Sequence, residues 1–322
     1  MAQLAEPIAS TSGRISSRSE TIAFVVMVAL LLVAPAVVYP VAVMKALCFA
    51  LFACAFNLLI GYVGLLSFGH ALFFGWSAYA CAHAAKVWGF PPELAILTGT
   101  AAAAVLGLIA GSLAIRRQGI YFAMITLALA QMMFFFALQA PFTGGEDGIQ
   151  AVPRGRLFGV FNLADQMTMY VFVVVIFLAC FLLIYRIIYS PFGEVLKAIR
   201  ENEQRAVSLG YKTDRYKLMA FVLSATLAGV AGSTKALVFQ LASLTDVHWT
   251  MSGEVVLMTL LGGLGTVFGP AVGAFIIVGM QNYLAGFGQW VTIIQGAIFV
   301  ICVLLFRRGI VGVIAHALRI RL

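Results

Sequence analysis

Charge is what this sequence has least of. Only 10% of its 322 residues are Asp, Glu, Lys or Arg, while 63% are hydrophobic. Soluble domains run at about 25% charged and about 45–50% apolar. An ordinary soluble fold is excluded, because it has no place to hide so much apolar surface. A phosphate-binding loop of the form Gly-x-x-x-x-Gly-Lys-Ser/Thr is also missing. Gly232-Ser233-Thr234-Lys235 has those residue types in the wrong order and lies inside an apolar run. The chain is therefore not expected to hydrolyse ATP itself. No His, Cys and carboxylate side chains gather at ligand spacing, so no metal, cofactor or catalytic residue is expected in it. Cys48, Cys54, Cys81, Cys180 and Cys302 fall in apolar runs without paired spacing, and read as small buried hydrophobes.

What the sequence has in abundance is long apolar runs. About 20 such residues cross a hydrocarbon core of ~30 Å. Candidate spans are Ile22–Tyr39, Val41–Ile60, Leu66–Ala85, Leu94–Ile115, Ile120–Ala140, Tyr170–Ile188, Leu218–Phe239, Phe268–Leu284 and Trp290–Phe306. A tenth piece, Met251–Gly263, is short enough to be a tilted helix or a half-helix. The expected fold is an all-α polytopic integral membrane protein with eight to ten transmembrane helices. Its membrane domain would cover residues 21–310, between a disordered tail at 1–20 and a second tail at 311–322. Arg14 and Arg18, the apolar run to Val33 and Ala34-Pro35-Ala36 also fit a signal peptide. Further apolar sequence follows at once, which favours a first span.

The net charge of +8 is read as positive charge retained on the cytoplasmic side, not as an affinity for nucleic acid. With both termini inside, 15 of the 20 Lys and Arg fall in inner segments. The exceptions are Lys45, Lys86, Arg154, Arg156 and Lys235; the three lysines lie near span ends and are expected to snorkel to the interface. The loop at 141–169 is then outside and the loop at 189–217 inside.

The inner loop reads as one helix from Ser190 to Tyr211. Ser190 supplies a capping hydroxyl, Pro191 suits the first helical position and Gly210 offers a left-handed stop. Phe192, Val195, Leu196 and Ile199 form one apolar stripe; Glu194 with Lys197, and Glu201 with Arg205, have pairing spacing. Such a helix either lies against membrane lipid or docks on a cytoplasmic protein.

Ser190-Pro191-Phe192-Gly193, Lys197-Ala198-Ile199-Arg200-Glu201-Asn202-Glu203, Ala206, Leu209-Gly210 and Lys217-Leu218 resemble the coupling loop of branched-chain amino-acid ABC-importer permeases of the LivM type. Asn57–Gly64 with Leu66–Gly75, Gly119–Ala128, Thr143–Ile149 and Leu261–Ala274 are similar to other motifs of that family, in family order. The general importer pattern Glu-Ala-Ala…Gly is only partly kept, since Gln204, Arg205 and Ala206 precede Gly210. The resemblance implies a permease of the bacterial inner (plasma) membrane. Its partners would be a second related permease, two cytoplasmic ATP-binding subunits that hold ATP and Mg, and a periplasmic or extracellular substrate-binding protein. It implies ATPase-coupling roles for Phe192, Leu196, Lys197, Ile199, Arg200, Glu201, Glu203, Ala206 and Gly210. Substrates would be branched-chain or other small amino acids, with urea, short amides or small organic acids as alternatives.

Asn57, Ser67, His70, Thr126, Glu254, Gly262 and Gly263 are candidates for the substrate path. Each also has a plainer reading. Glycines pack helices tightly or break them, a lone histidine is more often a packed hydrogen-bonded group, and Glu254 sits at the start of its apolar run. Gly265, Gly269 and Gly273 are expected on one smooth helix face. An ion-coupled secondary transporter would show span carboxylates or an inverted repeat, and a membrane enzyme a polar catalytic cluster; neither pattern is evident.

Overall fold

A computed structural model describes residues 12–284 and 309–317, with 286, 290, 293, 294, 296, 297 and 300 between them. The expected span at Trp290–Phe306 and the residue Cys302 lie outside the contiguous described residues. The chain is a bundle of helices: α1 Ser12–Val37, α2 Pro40–Tyr62, α3 His70–Lys86, α4 Pro92–Ala114, α5 Ile120–Gln139, α6 Gln166–Ile188, α7 Pro191–Glu201, α8 Glu203–Ser208, α9 Thr213–Phe239, α10 Trp249–Gly262, α11 Gly269–Leu284 and α12 Gly309–Ala317. Six of them (α1, α2, α4, α5, α6 and α9) are long and apolar enough to cross a membrane. The 17 residues of α3, 14 of α10 and 16 of α11 fall short of the ~20 that a full span needs.

α2 is the axis of the bundle, with 89% of its span buried. It is apolar all round, as a helix enclosed by other helices must be. It packs against α6, α9, α10 and α11, and Phe52 stacks on Phe74 of α3 with ring centroids 4.5 Å apart. α3, α4 and α9 form a second tightly packed group. Their shared face is built of small residues, which lets backbones approach in lipid, where burial of apolar surface gives no drive. A Cβ on Gly232 of α9 would lie 2.0 Å from the Phe74 carbonyl, and one on Gly99 of α4 2.5 Å from that of Ser77. α1 is peripheral, with only 11% of its span buried.

Three readings change. α3 begins at His70, not at 66, because residues 63–69 run as non-helical backbone. Leu65 and Ser67 are buried there, and irregular backbone survives at membrane depth where protein covers it. Part of each expected tail is helical. α1 is already helical from Ser12, and α12 carries Val311 into the interior and packs on α10 and α11. Gly265 lies in the connection before α11, not on its face. Only Gly269 and Gly273 press on α10, where a Cβ on Gly273 would meet the Met258 carbonyl at 1.9 Å.

The α5–α6 connection is tethered to the bundle. Its strand β1 Ile149–Gln150 pairs antiparallel with β4 Leu241–Ala242, after α9; β2 Arg156–Leu157 and β3 Phe161–Asn162 form a hairpin. Arg154 donates to the Leu237 and Val238 carbonyls at the end of α9, and Lys86 donates to the Gln150 carbonyl at 2.7 Å. Lys235 is not a snorkelling residue: it is buried and closes on Asp246 at 2.5 Å. Cys48, Cys54 and Cys81 are buried and free, and Cys180 is free and half-buried.

Candidate functional site at the α6–α9 connection

The segment between α6 and α9 begins as its sequence implies. Ser190 Oγ accepts from the Gly193 amide at 3.3 Å and Pro191 opens α7. Gly193 is required by a close approach: a Cβ there would lie 2.2 Å from the Ile188 carbonyl. That approach folds α7 back against the end of α6.

The helix does not run on to Gly210. It breaks at Asn202, whose backbone is extended (φ −156°, ψ 98°) and whose Oδ1 accepts from the Arg205 amide at 3.0 Å, starting α8. Asn is a strong helix-capping residue, so an Asn inside a helical pattern was the available signal for a restart. The break removes the helical spacing between Glu201 and Arg205, and these two form no ion pair among the described residues. Glu194 and Lys197 do pair, at 2.8 Å. Gly210 is left-handed (φ +91°), as a stop should be.

The apolar stripe of α7 turns towards the chain's own interior. Leu196 is 0% exposed and Ile199 3%. They are covered by the chain's own α2, α6 and α9, against which α7 packs, and Phe192 stacks on Tyr216 of α9 with centroids 5.8 Å apart. Ala206 is buried as well. What faces outward is Glu201, Gln204, Arg205, Ser208 and Gly210, with the apolar side chains Val207, Leu209 and Tyr211 exposed among them. The stripe that the sequence offered for docking is thus largely covered by the chain itself.

Two polar residues fasten it further. Glu203 accepts from Lys217 Nζ at 2.5 Å, Thr213 Oγ1 at 3.2 Å and Gln118 Nε2 at 2.8 Å, which ties α8 to α9 and to the α4–α5 turn. Lys217 is 3% exposed, and its partner is fourteen residues away, a spacing that no periodicity shows. Only the motif that includes it pointed there. Arg200 Nη1 donates to the Gly61 carbonyl in the last turn of α2. Gly64, left-handed at φ +82°, leaves room for the Arg200 side chain.

Most of the path candidates are interior groups that join separate segments. Asn57 Nδ2 donates to the Thr266 carbonyl at 2.9 Å, and its Oδ1 accepts from the Gly265 amide at 3.1 Å. Thr126 Oγ1 accepts from the Phe68 amide, and Ser67 Oγ from the Gly69 amide, both at 3.2 Å. His70 is fully buried, edge-on to Phe56 and Phe73, with Nε2 2.8 Å from Ser224 Oγ. Ser224 gives its own proton to the Ala55 carbonyl, so His70 Nε2 must be the donor. Gly262 and Gly263 end α10; a Cβ on Gly262 would collide with the Gly269 carbonyl at 1.9 Å. None of these six borders the 1340 Å³ cavity between α1, α2 and α11. Glu254 alone is half-buried; it accepts from Gln281 Nε2 at 3.2 Å. Missed by the sequence reading is Ser252, whose Oγ accepts from the Ala71 amide at the start of α3 at 2.9 Å.

The chain is a polytopic helical bundle with a surface segment clamped across several of its helices. The chain belongs to the family described as branched-chain amino acid transport system permease components, whose profile matches residues 38–303. It is 25% identical to the high-affinity branched-chain amino acid transport system permease protein LivM of Escherichia coli (strain K12), over 82% of this chain and 68% of that protein. It is 28% identical to the probable branched-chain amino acid transport permease protein LivH of Methanocaldococcus jannaschii, over 48% of this chain and 51% of that one. It is also 26% identical to the fructose import permease protein FrcC of Rhizobium meliloti, over 67% of this chain and 63% of that one. No solved structure matches the chain. The chain is thus a multi-pass permease subunit of an ABC importer, as its motifs imply; relatives named for sugars leave the substrate open.

Proposed function

We propose that this subunit carries aliphatic amino acids across the bacterial inner membrane by alternating access, driven by ATPases that dock on α7 and α8. The observation that carries the reading is the clamped segment. Its inner face is committed to α2, α6 and α9, while Val207, Leu209 and Tyr211 remain exposed beside Glu201, Gln204 and Arg205. Exposed apolar side chains with mixed charge suit a protein groove better than anionic lipid, which prefers uniform Lys and Arg. The positive-inside bias supports a cytoplasmic position for this segment and both termini. A second related permease would complete the passage, two ATP-binding subunits would hold ATP and Mg, and an outer binding protein would deliver substrate. The decisive experiment is reconstitution of the complex that co-purifies from native membranes into liposomes. ATP inside and loaded binding protein outside should drive uptake of leucine. Uptake of urea or a sugar in place of leucine would refute the substrate class, and uptake without ATP would refute the importer reading.

A further inference from the structure

Within the bundle, charged side chains close on one another: Lys235 on Asp246 and Lys217 on Glu203. Lys45 and Glu254 do not. Lys45 lies in the second turn of α2 and Glu254 in the second turn of α10; both are half-buried, and α2, α10 and α11 pack mutually. Among the described residues, Lys45 has no hydrogen bond or ion pair, and Glu254 receives only the Gln281 amide from α11. Gln281, which bonds to Glu254, is followed on α11 by Asn282, which lines the same cavity as Lys45. An ammonium and a carboxylate left open on adjacent membrane helices are costly, and intramembrane charge marks function by default.

We infer that Lys45 and Glu254 are the two ends of a head-group site for a zwitterionic amino acid, with Lys45 taking its carboxylate and Glu254 its ammonium. The inference rests on the proposed importer function and specifies its substrate class. A zwitterion supplies both missing counter-charges and adds no net charge. A sugar or urea would leave both groups unpaired, and an organic acid would satisfy Lys45 but meet repulsion from Glu254. Lys45 also borders the 1340 Å³ cavity, whose neighbouring walls are Val41, Phe239, Phe275 and Ile276. An aliphatic side chain can lie there while the head group stays between the charges.

The test uses the assembled complex in liposomes, with leucine as the probe. Lys45→Met and Glu254→Gln should each raise the KM for leucine by about tenfold or more, with normal subunit levels. Lys45→Arg and Glu254→Asp, which keep the charges, should stay within about threefold of wild type. Wild-type KM in both neutral variants would overturn the site and leave the importer reading standing, as would equal losses in the charge-conserving pair, which would mean packing. Should Lys45→Met not assemble, Glu254→Gln decides alone. A wild-type complex that imports ribose or urea in place of leucine would overturn the importer's substrate class and this site together.

Discussion

The Glu203–Lys217 clasp gives the sharpest quantitative prediction. Replacing Glu203 by Gln keeps the shape of the side chain but leaves the Lys217 ammonium, 3% exposed, without its counter-ion. Removing one partner of a fully buried pair costs about 3–5 kcal/mol. Glu203 is 25% exposed, so water can reach one side and the lower range for charged hydrogen bonds, about 1.5–3 kcal/mol, applies. That energy holds α8 against α9 and the α4–α5 turn, so its loss should appear as local opening of residues 202–212. With opening faster than cleavage, trypsin reads the open population. Cutting at Arg205 and Lys212 in the purified, detergent-solubilised complex should quicken about ten- to a hundredfold, since 1.4 kcal/mol is a factor of ten. Lys217→Met, which removes the stranded charge, should restore much of the protection when combined with Glu203→Gln. If Glu203→Gln cuts at the wild-type rate, or the double variant is no better protected than the single, the clasp does not hold the segment.

Gly193→Ala should prevent α7 from folding back on α6, because its Cβ would lie 2.2 Å from the Ile188 carbonyl; the expected loss is about 1–3 kcal/mol, read as reduced thermal stability in detergent, and a wild-type melting temperature would refute it. Leu196→Ala removes a side chain with 0% exposure and should cost about 2–5 kcal/mol of the chain's own stability, with less protein in the membrane; a selective docking defect at normal stability would show that the stripe faces the partner after all. A cysteine placed at Gly145 should react with an impermeant thiol label from outside intact cells and one at Asn202 should not; the reverse would overturn the orientation.

Most of the bundle was legible because lipid imposes one rule, a run of apolar residues for each helix, and α2, α4, α5, α6 and α9 obey it. The cap at Ser190 was legible for a similarly local reason: one hydroxyl and one proline at adjacent positions. Contacts made across long sequence distances were not. Asn57 bonds to residues 208 and 209 positions away, and nothing in the spacing of either segment announces it. What covers the amphipathic stripe of α7 was not legible, because periodicity shows that a face is buried but not by what. Here the covering surface is the chain itself. The path candidates were recognised as special residues for the right reason, since each is a polar or small residue amid apolar ones. The structure uses them to join backbones, and among them only Glu254 keeps an open side.

The bonds around Arg200 show how a displacement of α7 can reach α10 and α11. The Gly61 carbonyl belongs to the last turn of α2, where helix carbonyls lack partners of their own and attract cations; Arg200 supplies that partner from α7. Four residues earlier, Asn57 holds the connection between α10 and α11 through both ends of its amide. Gly61 has no side chain because a Cβ would lie 2.3 Å from Asn57 Oδ1 and 2.9 Å from the Gly265 amide. Two sets of hydrogen bonds, both anchored on one turn of α2, thus separate the outward-facing segment from the α10–α11 crossing, which Gly262 and Gly273 lock tightly. Arg200→Ala should leave ATP hydrolysis intact but lower leucine uptake per ATP by about tenfold, if the lost charged hydrogen bond is worth the usual ~1.5–3 kcal/mol. Arg200→Lys should fall between, because a single ammonium lacks the planar fork that reaches the carbonyl. Asn57→Asp should mimic Arg200→Ala, since a carboxylate cannot donate to the Thr266 carbonyl. Uptake and hydrolysis measured in the same liposomes decide the matter: an unchanged ratio in Arg200→Ala would mean that motion enters the spans elsewhere, through the Leu196 and Ile199 packing alone.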